Sequence, residues 1–189
     1  HSQIDQWLSE DLAHLPRLAL AKLDLDEEDL ASDPLLVIGP VLWETNGVPS
    51  DELLYHVEEQ NKVKKARYAI YHVTAILLTD SHLGAYAADF NFLRNAFLNE
   101  QAQEFHYQDV VSVSLREDST NLSLSSGEKV IHGEQFRVSV SSGENIQVIV
   151  KSSELRELTG ADEDTSNVED VVRAIRKMLR EKKQGSALN

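Results

Sequence analysis

Hydrophobic and polar residues alternate with a period of two along much of the chain, which is typical of half-buried β-strands. The strongest strand signal is ARYAIYHVTAILLTD (Ala66 to Asp80), and DSHLGAYAADF follows it after a turn near Asp80 and Ser81. A tight turn at that point makes a hairpin and places His72 opposite Asp89 on the neighbouring strand. The sequence therefore predicts an antiparallel sheet that contains a polar His72–Asp89 pair.

One segment, QEFHYQDVVSVSLRED, changes its period from two to three and back again. Tyr107, Val110 and Val113 are spaced by three, which is the spacing that a single 3₁₀ turn produces. We expect a strand that ends near Tyr107, one tight turn and a new strand from Ser112, with the three spaced side chains in one core. The alternative is a continuous strand with a bulge at Asp109.

Three other segments show the helical spacing of apolar residues. We predict a small helical appendage at residues 1–33, a short helical insertion near residues 91–103 and a C-terminal amphipathic helix at residues 166–183. The linker after the appendage is short, which favours packing on the same chain. We therefore expect Trp7, on the apolar face of the appendage, to be mostly buried against the domain that follows.

Turn signals divide the remaining sequence into short strands. Gly39 and Pro40 interrupt the apolar run LLVIGPVLW, and a central strand does not tolerate that pair, so we expect an edge strand or a bulge. The phrases LSSGEKV (residues 124–130) and VSSGENI (residues 140–146) are predicted hairpin turns with similar chemistry. In the second hairpin, alternating apolar residues on both strands should face the core.

About seven strands, mostly joined by hairpins and followed by one amphipathic helix, resemble the pleckstrin-homology-like (PH-like) β-barrel, whose C-terminal helix plugs an open end. The phrase Y-x-D-V-x-x-V (Tyr107 to Val113) is similar to a pattern of bacterial PH-like and GRAM-like domains. The resemblance covers Leu35 to Lys183. It implies an α+β fold with one antiparallel barrel domain at residues 34–189, and it attaches no activity to the chain. Another antiparallel barrel or sandwich with a terminal helix is the structural alternative.

The composition excludes several classes of function. The 189 residues include 18 basic and 32 acidic ones, and the formal net charge of −14 disfavours nucleic acid as a partner. Cysteine is absent, which excludes disulfides, thiolate metal sites and a cysteine nucleophile. No apolar run approaches the roughly 20 residues that span a bilayer, and no signal peptide is visible, so we expect a cytoplasmic protein. The chain begins with His1 rather than Met, so we expect it to be a fragment of a longer protein, in which another domain or a membrane segment could precede His1.

A cluster of basic residues raises the question of lipid binding. The PH-like resemblance implies a phosphoinositide site in which KVKKAR supplies Lys62, Lys64, Lys65 and Arg67, with Lys65 and Arg67 matching a Lys/Arg-x-Arg pattern. Clustered cations of this kind bind phosphorylated headgroups. The partner lysine that the resemblance implies on the first strand is missing, however, and the net charge is adverse. A solvated basic turn is therefore the favoured interpretation, and membrane contact is the alternative.

Other chemical motifs are missing from the sequence. Its seven histidines form no H-x-x-x-H or H-E-x-x-H pattern, and it contains neither G-x-S-x-G nor a glycine-rich phosphate loop. We therefore predict no catalytic residue, no metal ligand and no cofactor. The leading hypothesis is a non-enzymatic interaction or scaffold module that binds a protein partner or self-associates. A peripheral lipid-headgroup binder is the alternative, and an unrecognised enzyme is the second alternative.

Overall fold

The computed structural model describes residues 2–124 and 127–186, without the side chains of residues 2–5, 7, 8, 123, 124 and 186. This part of the chain forms an α+β fold. Its α-helices are α1 (Ser2–Ala13), α2 (Leu15–Lys22), α3 (Ser153–Thr159) and α4 (Ser166–Ser186). Its strands are β1 (Leu35–Pro40), β2 (Tyr55–Gln60), β3 (Val63–Tyr68), β4 (Ile70–Leu78), β5 (His82–Asn91), β6 (Ala96–His106), β7 (Val110–Leu124), β8 (Gly127–Val140) and β9 (Asn145–Ser152). Short 3₁₀ helices occur at Glu27–Asp29, Ser50–Glu52 and Tyr107–Asp109.

The nine described strands pair antiparallel in three sheets. One sheet has the order β1-β4-β5-β6, a second is the two-stranded ribbon β2–β3, and the third has the order β7-β8-β9. Within residues 2–124 and 127–186, strand pairing does not close these sheets into a barrel. The sequence predicted about seven strands, and the ribbon accounts for the two additional ones.

The β1 strand lies at an edge of the four-stranded sheet, which confirms the prediction made from Gly39 and Pro40. The glycine is required because β9 passes very close to it. A Cβ added at Gly39 would lie 2.1 Å from the backbone oxygen of Ile149, far inside contact distance. Strand β1 therefore brings the four-stranded sheet against β9 of the three-stranded sheet.

Strand β4 is buried on both of its faces. Ile76 and Leu78 face a core that the three-stranded sheet and α4 share, whereas Val73 and Leu77 face a second core on the opposite side. Eight of its nine residues are fully buried, and His72 is the exception. The near-continuous apolar run in the sequence follows from this double burial.

The outer face of the four-stranded sheet is covered by the N-terminal helices. Leu15, Leu20 and Leu23 of the α2 region are buried in the same cluster as the outward side chains of β4 and β5. The prediction of helices within residues 1–33 is confirmed, and so is packing of this segment on its own chain. The side chain of Trp7, which was expected to be mostly buried, lies outside the described residues.

The C-terminal helix α4 covers the inner core, as the sequence predicted. It begins at Ser166 and extends to Ser186, three residues beyond the predicted end. Its apolar stripe, which contains Val168, Val171, Val172 and Ile175, joins inward side chains from both larger sheets in one cluster. Lys183 Nζ also donates to the backbone oxygen of Val110 at 2.5 Å, so the last turns of the helix are tied to β7.

The change of period near Tyr107 is a single 3₁₀ turn between two strands, as predicted, but the turn begins one residue before the predicted Gln108 and the second strand two residues before the predicted Ser112. Strand β6 ends at His106, the 3₁₀ turn occupies Tyr107–Asp109, and β7 begins at Val110. Tyr107, Val110 and Val113 are all buried in the inner core. A bulge does follow, but the register of β7 against β8 shifts at Val111, between Val110 and Ser112, and not at Asp109.

The second predicted hairpin is also confirmed. Phe136 pairs with Val148 and Val138 with Ile146, and all four side chains are buried. The first predicted turn, LSSGEKV, joins β7 to β8, but its residues 125 and 126 lie outside the described residues.

The predicted helix near residues 91–103 is wrong, because this segment is a turn followed by strand β6. The apolar residues Phe92, Leu93, Ala96 and Phe97 show helical spacings of three and four. Phe92 and Phe97 nevertheless both pack against Phe90, with ring centroids 5.7 and 4.9 Å away. The N–H of Arg94 donates to Asn91 Oδ1, a local contact that stabilises a turn. The aromatic contacts thus run across a hairpin rather than along a helix.

The long strand predicted at Ala66 to Asp80 is in fact two strands that belong to different sheets. It divides at Ala69, between β3 and β4. The N–H of Ala69 donates to Leu54, and its carbonyl accepts from Phe92. The ribbon partner β2 was not predicted, because half of its residues are exposed polar groups without a regular alternation.

We predict that Ile175→Ala lowers the free energy of unfolding by about 2–5 kcal/mol, because the Ile175 side chain is completely buried in the inner core. The matched control on the same helix is Lys177→Ala, whose side chain is exposed and whose effect should stay within about 0.5 kcal/mol. Denaturant unfolding followed by circular dichroism measures both. Equal effects would show that α4 is not packed at Ile175.

We further predict that deletion of residues 1–31 lowers the midpoint of thermal unfolding without changing the oligomeric state. The deletion uncovers the outer face of the four-stranded sheet and removes buried leucines that contribute about 1.5–3 kcal/mol each. Thermal melting and light scattering of the two chains make the test. A change from dimer to monomer with an unchanged melting temperature would instead mean that the N-terminal helices hold two chains together.

Candidate binding cleft

The basic residues singled out from the sequence lie on the β2–β3 ribbon. Lys62 occupies the tight turn, with a positive φ of 66°. Lys64, Lys65 and Arg67 lie on β3. Because successive residues of a strand point to opposite faces, Lys64 is directed away from the face that Lys65 and Arg67 share. The four cations therefore do not converge on one site.

Acidic residues lie directly opposite two of these lysines. Glu59 pairs with Lys64 and Glu58 with Lys65 in the register of the ribbon. Opposite charges at facing positions stabilise a strand pair and lower its net positive potential. Lys64 also extends over the end of α3, where its Nζ would lie 3.4 Å from a Cβ added at Gly160. This arrangement is that of a charge-balanced ribbon.

A pair of polar side chains lies at the inner face of the four-stranded sheet rather than on the β2–β3 ribbon. His72 on β4 faces Asp89 on β5, and His72 Nδ1 lies 2.8 Å from Asp89 Oδ1. This confirms the pair predicted from the position of the turn. Both side chains are largely buried, with 30% of His72 and 11% of Asp89 exposed. A buried polar side chain needs a hydrogen-bond partner, and each of these residues supplies one to the other.

Asp89 is held from its other side by Asn99. The Nδ2 atom of Asn99 donates to Asp89 Oδ2 at 2.9 Å and to the backbone oxygen of Asn46 at 2.8 Å. Asn99 has a positive φ of 53° and lies where the β5–β6 register shifts, next to Leu98. The bulge thus turns this amide towards Asp89, and the same amide fixes the loop that carries Trp43.

A second polar network lies across from the pair, on the three-stranded sheet. The Oγ1 atom of Thr120 accepts a hydrogen bond from Gln135 Nε2 at 2.6 Å and one from Gln147 Nε2 at 2.9 Å. Gln147 Nε2 also donates to Gln135 Oε1 at 2.6 Å. The three side chains therefore hold one another in fixed orientations.

This network requires a strongly curved β7–β8 ribbon. Gln135 pairs with Arg116 in the register, and Thr120 lies four residues farther along β7, about 13 Å away in a flat strand. A hydrogen bond between Gln135 and Thr120 is feasible only if the ribbon curves towards this face. Gly133 lies in the curved part of β8. A Cβ added at Gly133 would lie 2.0 Å from the backbone oxygen of Lys151.

The curved ribbon and the His72–Asp89 pair enclose a cleft of about 210 Å³ between them. Its apolar walls come from the segment after β1, from β7 and from β9, and its polar groups come from both networks. The lining residues are Val41, Trp43, His72, Asp89, Thr120, Leu122, Gln147 and Ile149. Pockets of this kind, with apolar walls and a few oriented polar groups, are typical of ligand sites.

A smaller pocket of about 100 Å³ lies where β3, the end of β9 and α3 meet. The carboxyl of Glu163 lies beside Tyr68, and burial raises the pKa of Glu163 above its usual range. The cation Lys151 is already paired with Glu134 at 3.0 Å. The 210 Å³ cleft has more room than this pocket, but open clefts of about 500 and 390 Å³ also occur on the surface. The two oriented polar networks of the 210 Å³ cleft, rather than its size, make it the better candidate for a ligand.

Among residues 2–124 and 127–186, no group of three or more His, Asp and Glu side chains is arranged to hold a metal ion. Every α-helix in the described part of the chain is too short or too polar to cross a bilayer.

Sequence reasoning found His72 and Asp89 but missed the rest of the cleft. Trp43, Thr120 and Gln147 come from three separate segments, and no motif links them. The weak signal that was present is a threonine and a glutamine on strands that otherwise alternate regularly.

Comparisons of the chain with protein-family models, with curated proteins and with solved structures found no match.

We predict that the wild-type protein does not sediment with phosphatidylcholine vesicles that contain a minor fraction of phosphoinositide, because the ribbon lysines face carboxylates and point to opposite sides. The paired variant Lys64→Gln/Lys65→Gln, which avoids placing like charges opposite each other, should behave identically. Vesicles without phosphoinositide are the control for non-specific binding. Sedimentation of the wild type that this variant loses, with its fold intact, would establish the headgroup-binding alternative.

Proposed function

We propose that the chain is a non-enzymatic interaction module that binds its partner through the cleft between Trp43 and the His72–Asp89 pair. One observation carries this proposal. The cleft joins two internally satisfied polar networks, and it presents an oriented imidazole beside apolar walls. Fixed polar groups of this kind reduce the ordering cost of binding, because they do not have to be reoriented when the ligand arrives.

The absence of a paired nucleophile favours binding over covalent catalysis. A histidine–carboxylate pair acts as a base in many enzymes when a hydroxyl or thiol lies next to the second ring nitrogen. Among the described residues, no hydroxyl group hydrogen-bonds to His72 Nε2. The chain has no cysteine. This supports a role for His72 in holding a ligand.

We also propose that the fold is a variant of the PH-like architecture. Without the β2–β3 ribbon, the four-stranded and three-stranded sheets supply seven antiparallel strands, and α4 follows them. Inward side chains of both sheets and of α4 form one core, which supports a helix that covers the opening between them. The ribbon and the N-terminal helices are additions in this proposal, and the appendage at residues 1–33 precedes a barrel domain at residues 34–189.

The partner that we propose is a protein or a second copy of the chain, and the compartment is the cytoplasm. The net charge of −14 disfavours nucleic acid and anionic membranes, and the absence of cysteine suits a reducing environment. Phosphoinositide binding by the β2–β3 ribbon is the alternative function that the vesicle experiment addresses.

The proposal predicts that small capped peptides shift the indole N–H signal of Trp43 in ¹H–¹⁵N spectra. A set of N-acetyl, C-methylamide dipeptides that covers every class of side chain is the probe. The chain has two tryptophans, so Trp43→Ala identifies which indole signal belongs to Trp43. His72→Ala should abolish the shifts, whereas His56→Ala on the ribbon should leave them unchanged. If no peptide shifts the Trp43 signal, or if His72→Ala has no effect, the cleft is not the binding site.

A further inference from the structure

We propose that the cleft recognises a primary carboxamide, the –CONH₂ group of an asparagine or glutamine side chain or of a small aromatic amide. This inference rests on the proposed function and names the chemical class of ligand. Three polar groups that line one cavity support the inference. Each of them has a hydrogen-bond donor or acceptor that no other group of the described protein uses.

The imidazole of His72 supplies an acceptor. A carboxylate can only accept hydrogen bonds, and Asp89 already accepts one from Asn99. The 2.8 Å contact between His72 Nδ1 and Asp89 Oδ1 therefore places the proton of a neutral imidazole on Nδ1. The lone pair of Nε2 is left at the cleft, and no described residue donates to it.

The hydroxyl of Thr120 supplies a donor. Its oxygen has two lone pairs, and both are occupied by N–H groups of Gln135 and Gln147. The hydroxyl can then take part in a further hydrogen bond only by donating its own proton. The two glutamines thus convert a group that is ordinarily both donor and acceptor into a donor towards the cleft.

The side chain of Gln147 supplies a second acceptor. Its Nε2 atom uses one proton on Thr120 and the other on Gln135 Oε1. Both amide protons are therefore committed within the protein. The Oε1 atom accepts no hydrogen bond from the described residues, so the amide presents an acceptor only.

A primary carboxamide has the complementary set of groups, with two N–H donors and one carbonyl acceptor. Its protons match His72 Nε2 and Gln147 Oε1, and its carbonyl matches the Thr120 hydroxyl. The carbon atoms next to the amide would contact the aromatic ring of Trp43 and the aliphatic wall formed by Leu122. One small neutral group therefore forms hydrogen bonds with both acceptors and with the donor of the cleft.

Charged analogues of the same size fit less well. A carboxylate would place its negative charge against two acceptors, with Thr120 as its one donor. An ammonium group could donate to His72 and Gln147 but would leave the Thr120 hydroxyl without an acceptor. Unsatisfied polar groups and charges removed from water both cost binding free energy.

The test is a titration of the wild-type protein with benzamide, benzoate and benzylamine, three probes with one ring and different polar groups. Binding of each probe is followed by the shift of the Trp43 indole signal at about pH 8, where a free imidazole is neutral. We expect benzamide to bind at least about tenfold more tightly than either charged probe, the ratio that one additional satisfied hydrogen bond produces. Equal or tighter binding of benzoate or benzylamine overturns the inference.

Two variants of Thr120 test the donor. Thr120→Val removes the hydroxyl and should abolish the preference for benzamide, whereas Thr120→Ser keeps the hydroxyl and should retain it. Circular dichroism establishes that both variants are folded. If folded Thr120→Val keeps the full preference, the inference is overturned. If capped dipeptides shift the Trp43 signal but benzamide does not, the inference fails while the proposed function stands.

The source of the carboxamide is resolved by a second pair of probes. N-acetyl-glutamine methylamide and its glutamate counterpart present the same two groups on a peptide. Tighter binding of the glutamine peptide than of benzamide supports a side chain of a partner protein as the ligand. The reverse order supports a free aromatic amide. A glutamate peptide that binds as well as the glutamine peptide contradicts carboxamide recognition.

Discussion

The burial of β4 (Ile70–Leu78) on both faces is the constraint on which the rest of the structure depends. Its inward residues, such as Ile76, are covered by the three-stranded sheet and α4, and its outward residues, such as Leu77, are covered by the N-terminal helices. A strand in this position must be apolar at nearly every residue, because a polar group without a partner in either core would cost about 1–3 kcal/mol. Two residues of β4 depart from this rule. Thr74 is fully buried, and its Oγ1 has no hydrogen-bond partner among the described residues. His72 is partly exposed, and the cover over the inner face opens at His72 into the cleft.

The other polar features of the cleft follow from the departure at His72. His72 needs a partner, and the register of the β4–β5 hairpin provides Asp89. The carboxylate in turn needs donors besides the imidazole, and the bulge in β6 provides Asn99, which also fixes the loop before β2. On the far wall, the curve of the β7–β8 ribbon brings Thr120 to two glutamines. Each wall is satisfied within itself, so that the groups left over are directed at the space between the walls.

The local pattern of the sequence was sufficient to predict the features that depend on residues close together in the chain. The spacing of Tyr107, Val110 and Val113 identified the 3₁₀ turn, and the turn after Thr79 identified the register of the His72–Asp89 pair. The local pattern was insufficient where a feature depends on contacts between separate strands. The apolar residues between Phe92 and Phe97 imitate helical spacing, although Phe92 and Phe97 both pack against Phe90 across a hairpin. The position of Thr120 in the same cleft as His72 depends on the curvature of a long ribbon, which the periodicity of the sequence does not show.

The central claim is that Asp89 fixes the tautomer of His72, so that its Nε2 atom is an acceptor in the cleft. The most direct measurement is a long-range ¹H–¹⁵N spectrum of the histidine rings at about pH 8, where a free imidazole is neutral. The account predicts that His72 shows a protonated Nδ1 and an unprotonated Nε2, and that Asp89→Asn removes this preference. A His72 ring that carries its proton on Nε2 in the wild-type protein, or that exchanges freely between the two tautomers, would contradict it.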